Sequence, residues 1–295
     1  MPYRTPNLSL WSGLLIGTLM TCSPILLSVA PARADEPSEP ARVTPDAGRL
    51  LTRCFRAMGG ESRIERIRDL QIRGTIAIGG QSIGDLEMDF AEGDRSRVEI
   101  AIKSGEIAST TVFGGDGTTS WEVEYRNQGT TPNRAMLLTP AELSERVKAN
   151  NWLGRLLHLA ADASEMQTIG KRDYLGRDCW AVKIPADRRS TVAYFDIETR
   201  LINGFRIEVD SPLNRSGTDA PSIFLDIVLE DWKSVEEILL FHRVKLIQGE
   251  QVITITYDSI RINEVDSNRF ALPPAVAELV RTSPAPASTP PSDQP

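Results

Sequence analysis

Between Leu70 and Phe90 the chain alternates. Leu70, Ile72, Gly74, Ile76 and Ile78 fall on even positions, as do Leu86, Met88 and Phe90 beyond a Gly79-Gly80-Gln81 gap, while Gln71, Arg73, Thr75, Asp85, Glu87 and Asp89 fall on odd ones. Successive side chains of a strand point to opposite faces, so this is two strands, each with an apolar and a polar side. The glycine-rich gap joins them as a hairpin. The chain beyond Phe90 reads as a sheet that curls around something apolar, either its own core or a ligand.

The first 34 residues read as a leader rather than as part of the fold. Arg4 supplies a positive start, Leu8 to Val29 is apolar and uncharged, and Ala32-Arg33-Ala34 places small residues where a signal peptidase reads them, so cleavage is expected after Ala34. Two alternatives stay open: a lipoprotein signal ending at Cys22 and an uncleaved anchor. Residues 35–43 form a Pro- and Glu-rich flexible leader, residues 44–280 a single domain, and residues 281–295 a Pro-rich tail expected to be disordered. No later segment is apolar enough to span a membrane. The whole chain carries 33 basic and 40 acidic residues; without Arg4 and Arg33 the balance is 31 against 40, or −9. That disfavours nucleic acid as a partner. Arginines cluster from Arg42 to Arg73, as a solvated helical face or as a docking face for an acidic partner.

Helix and turn signals punctuate the rest. Thr44-Pro45 starts a helix whose apolar residues include Leu50, Leu51, Cys54, Phe55 and Met58, and Gly59-Gly60 stops it. Thr139-Pro140-Ala141-Glu142 is a capping-box start for a second, greasier helical stretch through Trp152, Leu156 and Leu157, with Gly154 as a candidate kink. Asp116-Gly117 supplies a turn. Asn203-Gly204 reads as a bulge, with the turn earlier, at Glu198-Thr199-Arg200. The fold class is α+β: a curved antiparallel sheet, or incomplete barrel, of about eleven strands with helices over its concave face.

Catalytic chemistry finds little footing. Asp85/Glu87/Asp89 and Glu122/Glu124 could suggest paired glycosidase carboxylates, but alternation puts them on the wet face. His158 and His242 have no evident nucleophile or acid beside them. With two histidines and no CxxC there is no zinc set, and no cofactor is implied. Cys54 and Cys179 read as buried thiols, with a disulfide between them as the alternative.

Together, Ala57-Met58-Gly59-Gly60 with Ile64, Ile67 and Leu70, Arg73-Gly74, Asp116-Gly117 ahead of Trp121, Tyr174-Leu175-Gly176-Arg177 ahead of Trp180, Tyr194-Phe195-Asp196, and Asp266 with Phe270-Ala271-Leu272-Pro273 resemble the LolA/LolB-like superfamily of periplasmic lipoprotein and lipid carriers. The resemblance implies a half-barrel around a hydrophobic cavity with a helical lid, occupied by acyl chains or by a partner's apolar segment, and no catalytic centre. It implies a periplasmic or secreted protein whose partners are lipid or lipoprotein acyl chains, with an envelope protein as a further candidate. On that basis the ligand-facing candidates are Ile72, Ile76, Leu86, Met88, Phe90, Trp121, Tyr125 and Phe205, with Trp152, Leu156 and Leu157 on the lid. The competing function is an envelope interaction or sensor module built on the same fold with a filled core.

Overall fold

The computed structural model describes residues 44–104, 107–127, 129–159, 163–185, 190–209 and 223–282. The leader through residue 43, residues 210–222 and the tail from residue 283 lie outside the described residues. Thirteen strands form one antiparallel sheet in the order β6-β5-β4-β3-β2-β1-β13-β12-β11-β10-β9-β8-β7, so β6 and β7 are its ends. The count exceeds the expected eleven, in part because Arg134–Leu138 forms a further strand just ahead of the helix that Thr139 caps. The chain divides into two compact units, Met1–Ala57 with His158–Leu225, and Met58–Leu157 with Asp226–Pro295.

The first unit holds helix α1 (Ala47–Ala57) and strands β7 (Gln167–Tyr174), β8 (Arg177–Ile184), β9 (Thr191–Asp196) and β10 (Ile202–Val209). α1 buries Leu50, Leu51, Cys54 and Phe55. Tyr174 stacks on Tyr194 with ring centroids 4.0 Å apart, and its hydroxyl donates to the Phe205 carbonyl at 3.0 Å. The β9–β10 turn is tied by Asp196, whose Oδ1 accepts from the amides of Glu198 (2.9 Å) and Thr199 (2.8 Å). The register slips between Ile202 and Gly204, so Asn203-Gly204 is the bulge that the sequence suggested. Cys54 and Cys179 are buried thiols, not a disulfide. Burial pushes them up to about 12 and about 11 respectively.

The second unit holds strands β1 (Asp69–Ile78), β2 (Gln81–Ala91), β3 (Arg95–Ser104), β4 (Ile107–Asp116), β5 (Ser120–Arg126) and β6 (Arg134–Leu138). It also holds β12 (Ile238–Gln248), β13 (Gln251–Ile262) and most of β11 (Ile223–Val235). Its helices are α2 (Glu61–Ile64), α3 (Pro140–Asn150), α4 (Trp152–Leu157) and α5 (Pro274–Thr282). The Leu70–Phe90 alternation becomes the β1–β2 hairpin, with Ile72 opposite Met88 and Leu70 opposite Phe90. β11 and β12 join through Glu236 and Glu237, both at positive φ, as a two-residue hairpin demands. Gly59 sits against that turn. A Cβ there would meet the Glu237 carbonyl at 2.5 Å, and next to it Leu239 donates its amide to the Met58 carbonyl at 2.7 Å. α5 extends through Arg281 and Thr282, two residues expected in the tail. Its start, Pro274, is the first helical position, where a missing N–H costs nothing.

Candidate functional site

Residues paired across strands share a face, so the register traces each face of the second unit. One row runs Ile260, Ile72, Met88, Val98, Phe113, Glu122, Met136 across β13, β1, β2, β3, β4, β5 and β6. A parallel row carries Ile255 and Ile76, and continues to Val244 in β12 and Leu229 in β11. Ile72, Ile76, Met88 and Val98 are fully inaccessible and Leu86 nearly so, while Phe90 is partly buried.

The opposite face carries Gln71, Asp89, Arg97, Gly114 and Trp121 in one row. Trp121 and Tyr125 therefore do not share a side with Ile72 and Met88, contrary to the expectation that all of them face one ligand. Period-two alternation shows which residues of one strand agree; only the register shows which strands agree. Trp121 packs with Val112, Val123 and Val276 of α5, with Tyr125 and Leu272 against them. The C-terminal segment thus covers that side. Phe205, fully buried, belongs to the first unit.

Two acids depart from the wet surface expected of them. Asp89 is fully buried on the outer face. Its Oδ1 accepts from Gln71 Nε2 at 2.9 Å and its Oδ2 from Arg269 Nε at 2.9 Å. Arg269 Nη2 also reaches Glu87 at 2.6 Å, and Arg73 Nε reaches Glu87 at 3.1 Å. Burial alone would raise the Glu87 carboxyl, but the guanidinium groups of Arg269 and Arg73 outweigh it and hold it below the usual carboxylate range.

Glu122, only 1% exposed, lies on the apolar face. Arg146 of α3 donates to its Oε2, while its Oε1 is buried with no hydrogen bond among the described residues. Burial pulls Arg146 below the ordinary guanidinium value. The signal for this pair was present in the sequence: Arg146 stands three residues after the buried Leu143, on the same helical stripe.

The covering helices follow local rules. Thr139 Oγ1 accepts from the Glu142 amide at 3.2 Å and Glu142 Oε2 accepts from the Thr139 amide at 2.8 Å, a complete capping box ahead of Pro140. The break comes at Asn151, not at Gly154. The Asn151 amide closes α3 on the Val147 carbonyl, and its Oδ1 receives the Gly154 amide at 2.7 Å to open α4. α3 packs on β4, β5 and β6, and α4 packs on β12. β5 and β12 stand six strand steps apart in the order, about 29 Å at roughly 4.8 Å a step. Taken end to end, α3 and α4 come to about 26 Å of helix at 1.5 Å per residue, comparable with that width. Gly115 lets α3 approach, since a Cβ there would lie 2.9 Å from Leu143 Cδ2. Leu143 is the one buried residue of α3, whereas α4 buries Trp152, Leu153, Gly154 and Leu156 and leaves Leu157 partly exposed. α4 is rooted by four buried residues; α3 lies on three strands with Leu143 buried and Arg146 set against Glu122.

Asp116 Oδ1 accepts from the amides of Thr118 (2.8 Å) and Thr119 (2.7 Å), so the Asp116-Gly117 carboxylate is used in its turn. Among the described residues no group of His, Cys, Asp or Glu could hold a metal, and no helix is long and apolar enough to cross a membrane.

No protein-family model matches this chain, and no curated protein matches it. Among solved structures the chain is similar to a LolA superfamily protein from Nitrosomonas europaea, at 8% identity over 77% of this chain and 98% of that one, with a TM-score of 0.47. It is also similar to LprF from Mycobacterium bovis, at 11% identity over 75% and 94%, with a TM-score of 0.31.

Proposed function

We propose that this protein is an exported, non-enzymatic binder of a hydrophobic ligand, lipid or lipoprotein acyl chains, which it receives on the apolar sheet face beneath α3. The observation that carries this reading is the imbalance in the cover. A multi-strand apolar face is closed at the β4–β6 end by a helix that buries one residue, Leu143, where α4 buries four, and that carries Arg146 to Glu122. Burying one leucine contributes about 2 kcal/mol, whereas a bound alkyl chain gains roughly 0.8 kcal/mol for each CH₂ removed from water. A long chain can therefore offset the burial of Leu143 and leave free energy to set against the Arg146–Glu122 pair. α3 would lift about Asn151 while α4 stays rooted, a population shift driven by the ligand's greater affinity for the open form. Ile72, Ile76, Leu86 and Met88 are the sheet contacts of such a ligand, Phe90 its margin, and Trp152, Leu156 and Leu157 the fixed rim. On this reading the leader through Ala34 directs the chain to the periplasm or out of the cell.

Native mass spectrometry of protein purified without detergent tests the reading. Adducts of lipid mass, removed by delipidation and restored by added lipid, are expected; a bare mass together with no saturable binding of any lipid or lipidated peptide would overturn it. The complete burial of Ile72, Ile76 and Met88 favours a second reading, an envelope interaction module whose core is permanently filled. That reading predicts the bare mass and no lipid competition.

A further inference from the structure

We propose that Glu122 is the headgroup-recognition residue of this site, and that its ligand is a cationic amphiphile whose ammonium takes the place the Arg146 guanidinium holds in the closed protein. The inference rests on the binding reading above and names the class of ligand.

Glu122 is the one charged member of the row from Ile260 to Met136. It stands on a central stretch of β5, paired on both sides by β4 and β6, so it stays in place when a helix moves. Arg146 is on α3 and leaves with it. Opening therefore converts a buried ion pair into a carboxylate on an apolar surface, which water can reach but which a second cation inside a closed, occupied site would match. An anionic headgroup would meet the wrong field. Glu122 would repel it, and Glu124, on the same face two residues along, is itself matched by Arg134 at 3.8 Å. On α3, Glu142 is committed to the cap and Lys148 faces Glu145 at 4.0 Å.

The second observation is the orphaned oxygen. Oε2 of Glu122 accepts from Arg146, but Oε1, also buried, has no hydrogen bond among the described residues. Buried polar atoms are seldom left without a partner. A primary ammonium carries three donors on one compact atom and can address both oxygens of a single carboxylate. The Arg146 side chain, 15% exposed against 1% for Glu122, is the accessible half of the pair and the half a ligand can replace. Arg146 thus acts as an internal pseudo-ligand: it keeps Glu122 neutralised while the site is empty and sets a threshold that an uncharged chain meets less easily.

The test titrates the intact mature chain with dodecylamine, dodecanol and dodecanoate below their micellar concentrations, by calorimetry at neutral pH. The wild type is expected to bind dodecylamine about tenfold or more tighter than dodecanoate, with dodecanol between them. Glu122→Gln should abolish that preference while still binding dodecanol. Arg146→Met, which removes the internal competitor, should bind dodecylamine more tightly than the wild type and show the larger amine-induced rise in Tm. If Glu122→Gln does not fold, the Arg146→Met result decides alone. Preference for dodecanoate, or an amine affinity unmoved by Arg146→Met, overturns the inference. Equal binding of all three probes overturns it while leaving the binding function standing; absence of saturable binding by any of the three overturns it as well, and the binding function falls with it where no lipid or lipidated peptide binds either.

Discussion

Asp89 and Glu122 lie on opposite faces of the same sheet, each almost wholly buried and each held by an arginine from a helical segment outside the sheet, yet they are built for different ends. Asp89 has both oxygens engaged, by Gln71 on a neighbouring strand and by Arg269. Arg269 is itself shared with Glu87, which Arg73 also grips. The segment that delivers Arg269 is further secured by Phe270 beneath the Arg95 guanidinium, at 5.3 Å, and by Val276 in the Trp121 cluster. Glu122 has one engaged oxygen and one orphan, and Arg146 arrives on a helix with a single buried apolar residue. The difference lies in the carboxylates and their anchorage, since Arg269 Nη2, Arg97 Nη1 and Trp121 Nε1 on the outer side are also buried without a hydrogen bond among the described residues. The outer face is clamped by its C-terminal segment, and the inner face is latched by α3.

The largest expected effect that separates the two is on stability. Arg269→Ala strands a fully buried carboxylate inside a rigid network and should cost about 3–5 kcal/mol in urea unfolding. Arg146→Ala should cost less, about 1–2 kcal/mol, because α3 can lift and let water reach Glu122. A reversed order would break the distinction between clamp and latch. Replacing both members of the latch, Glu122→Leu with Arg146→Leu, should be neutral or stabilising, as apolar substitution of a buried pair often is, whereas Asp89→Leu with Arg269→Leu should destabilise by taking from Gln71 and Glu87 the partners they hold in the wild type.

Next in size, Thr139→Ala removes the capping box and should cost about 1 kcal/mol, read as faster amide exchange confined to α3. The smallest effect is on pH dependence. The Glu87 carboxyl is held below its ordinary value of 4.5, so its contribution is fully present above that value and is lost as pH falls through the lower folded value. In Arg269→Ala only Arg73 still lowers the Glu87 carboxyl, the folded and unfolded values move closer, and the acid loss of stability should become shallower, as followed by urea midpoints from about pH 6 to about pH 3.

What the sequence made legible was local. The β1–β2 alternation, the Thr139–Glu142 capping box, the stop at Gly59 and the bulge at Asn203-Gly204 each depend on residues close in the chain, and each appears as read. What it concealed depended on pairing between distant strands. Trp121 and Glu122 alternate as expected, yet the register turns β5 so that the tryptophan joins the Asp89 face and the glutamate joins the Met88 face. The amphipathic sense of the sheet inverts between β3 and β4, and the inversion is absorbed by separate covers, α3 on one side and α5 on the other. α5 itself was hidden because Pro273-Pro274 reads as a terminus, though Pro at a first helical position is equally a beginning.

Hydrogen exchange read by mass spectrometry tests the central claim most directly, with the intact chain compared alone and at saturating dodecylamine or dodecanol. Ligand taken beneath the latch should speed exchange across Pro140–Asn150 and leave Ser267–Phe270 and Pro274–Thr282 as slow as before. Saturable binding with α3 unchanged, or with the response at the C-terminal clamp instead, would contradict it.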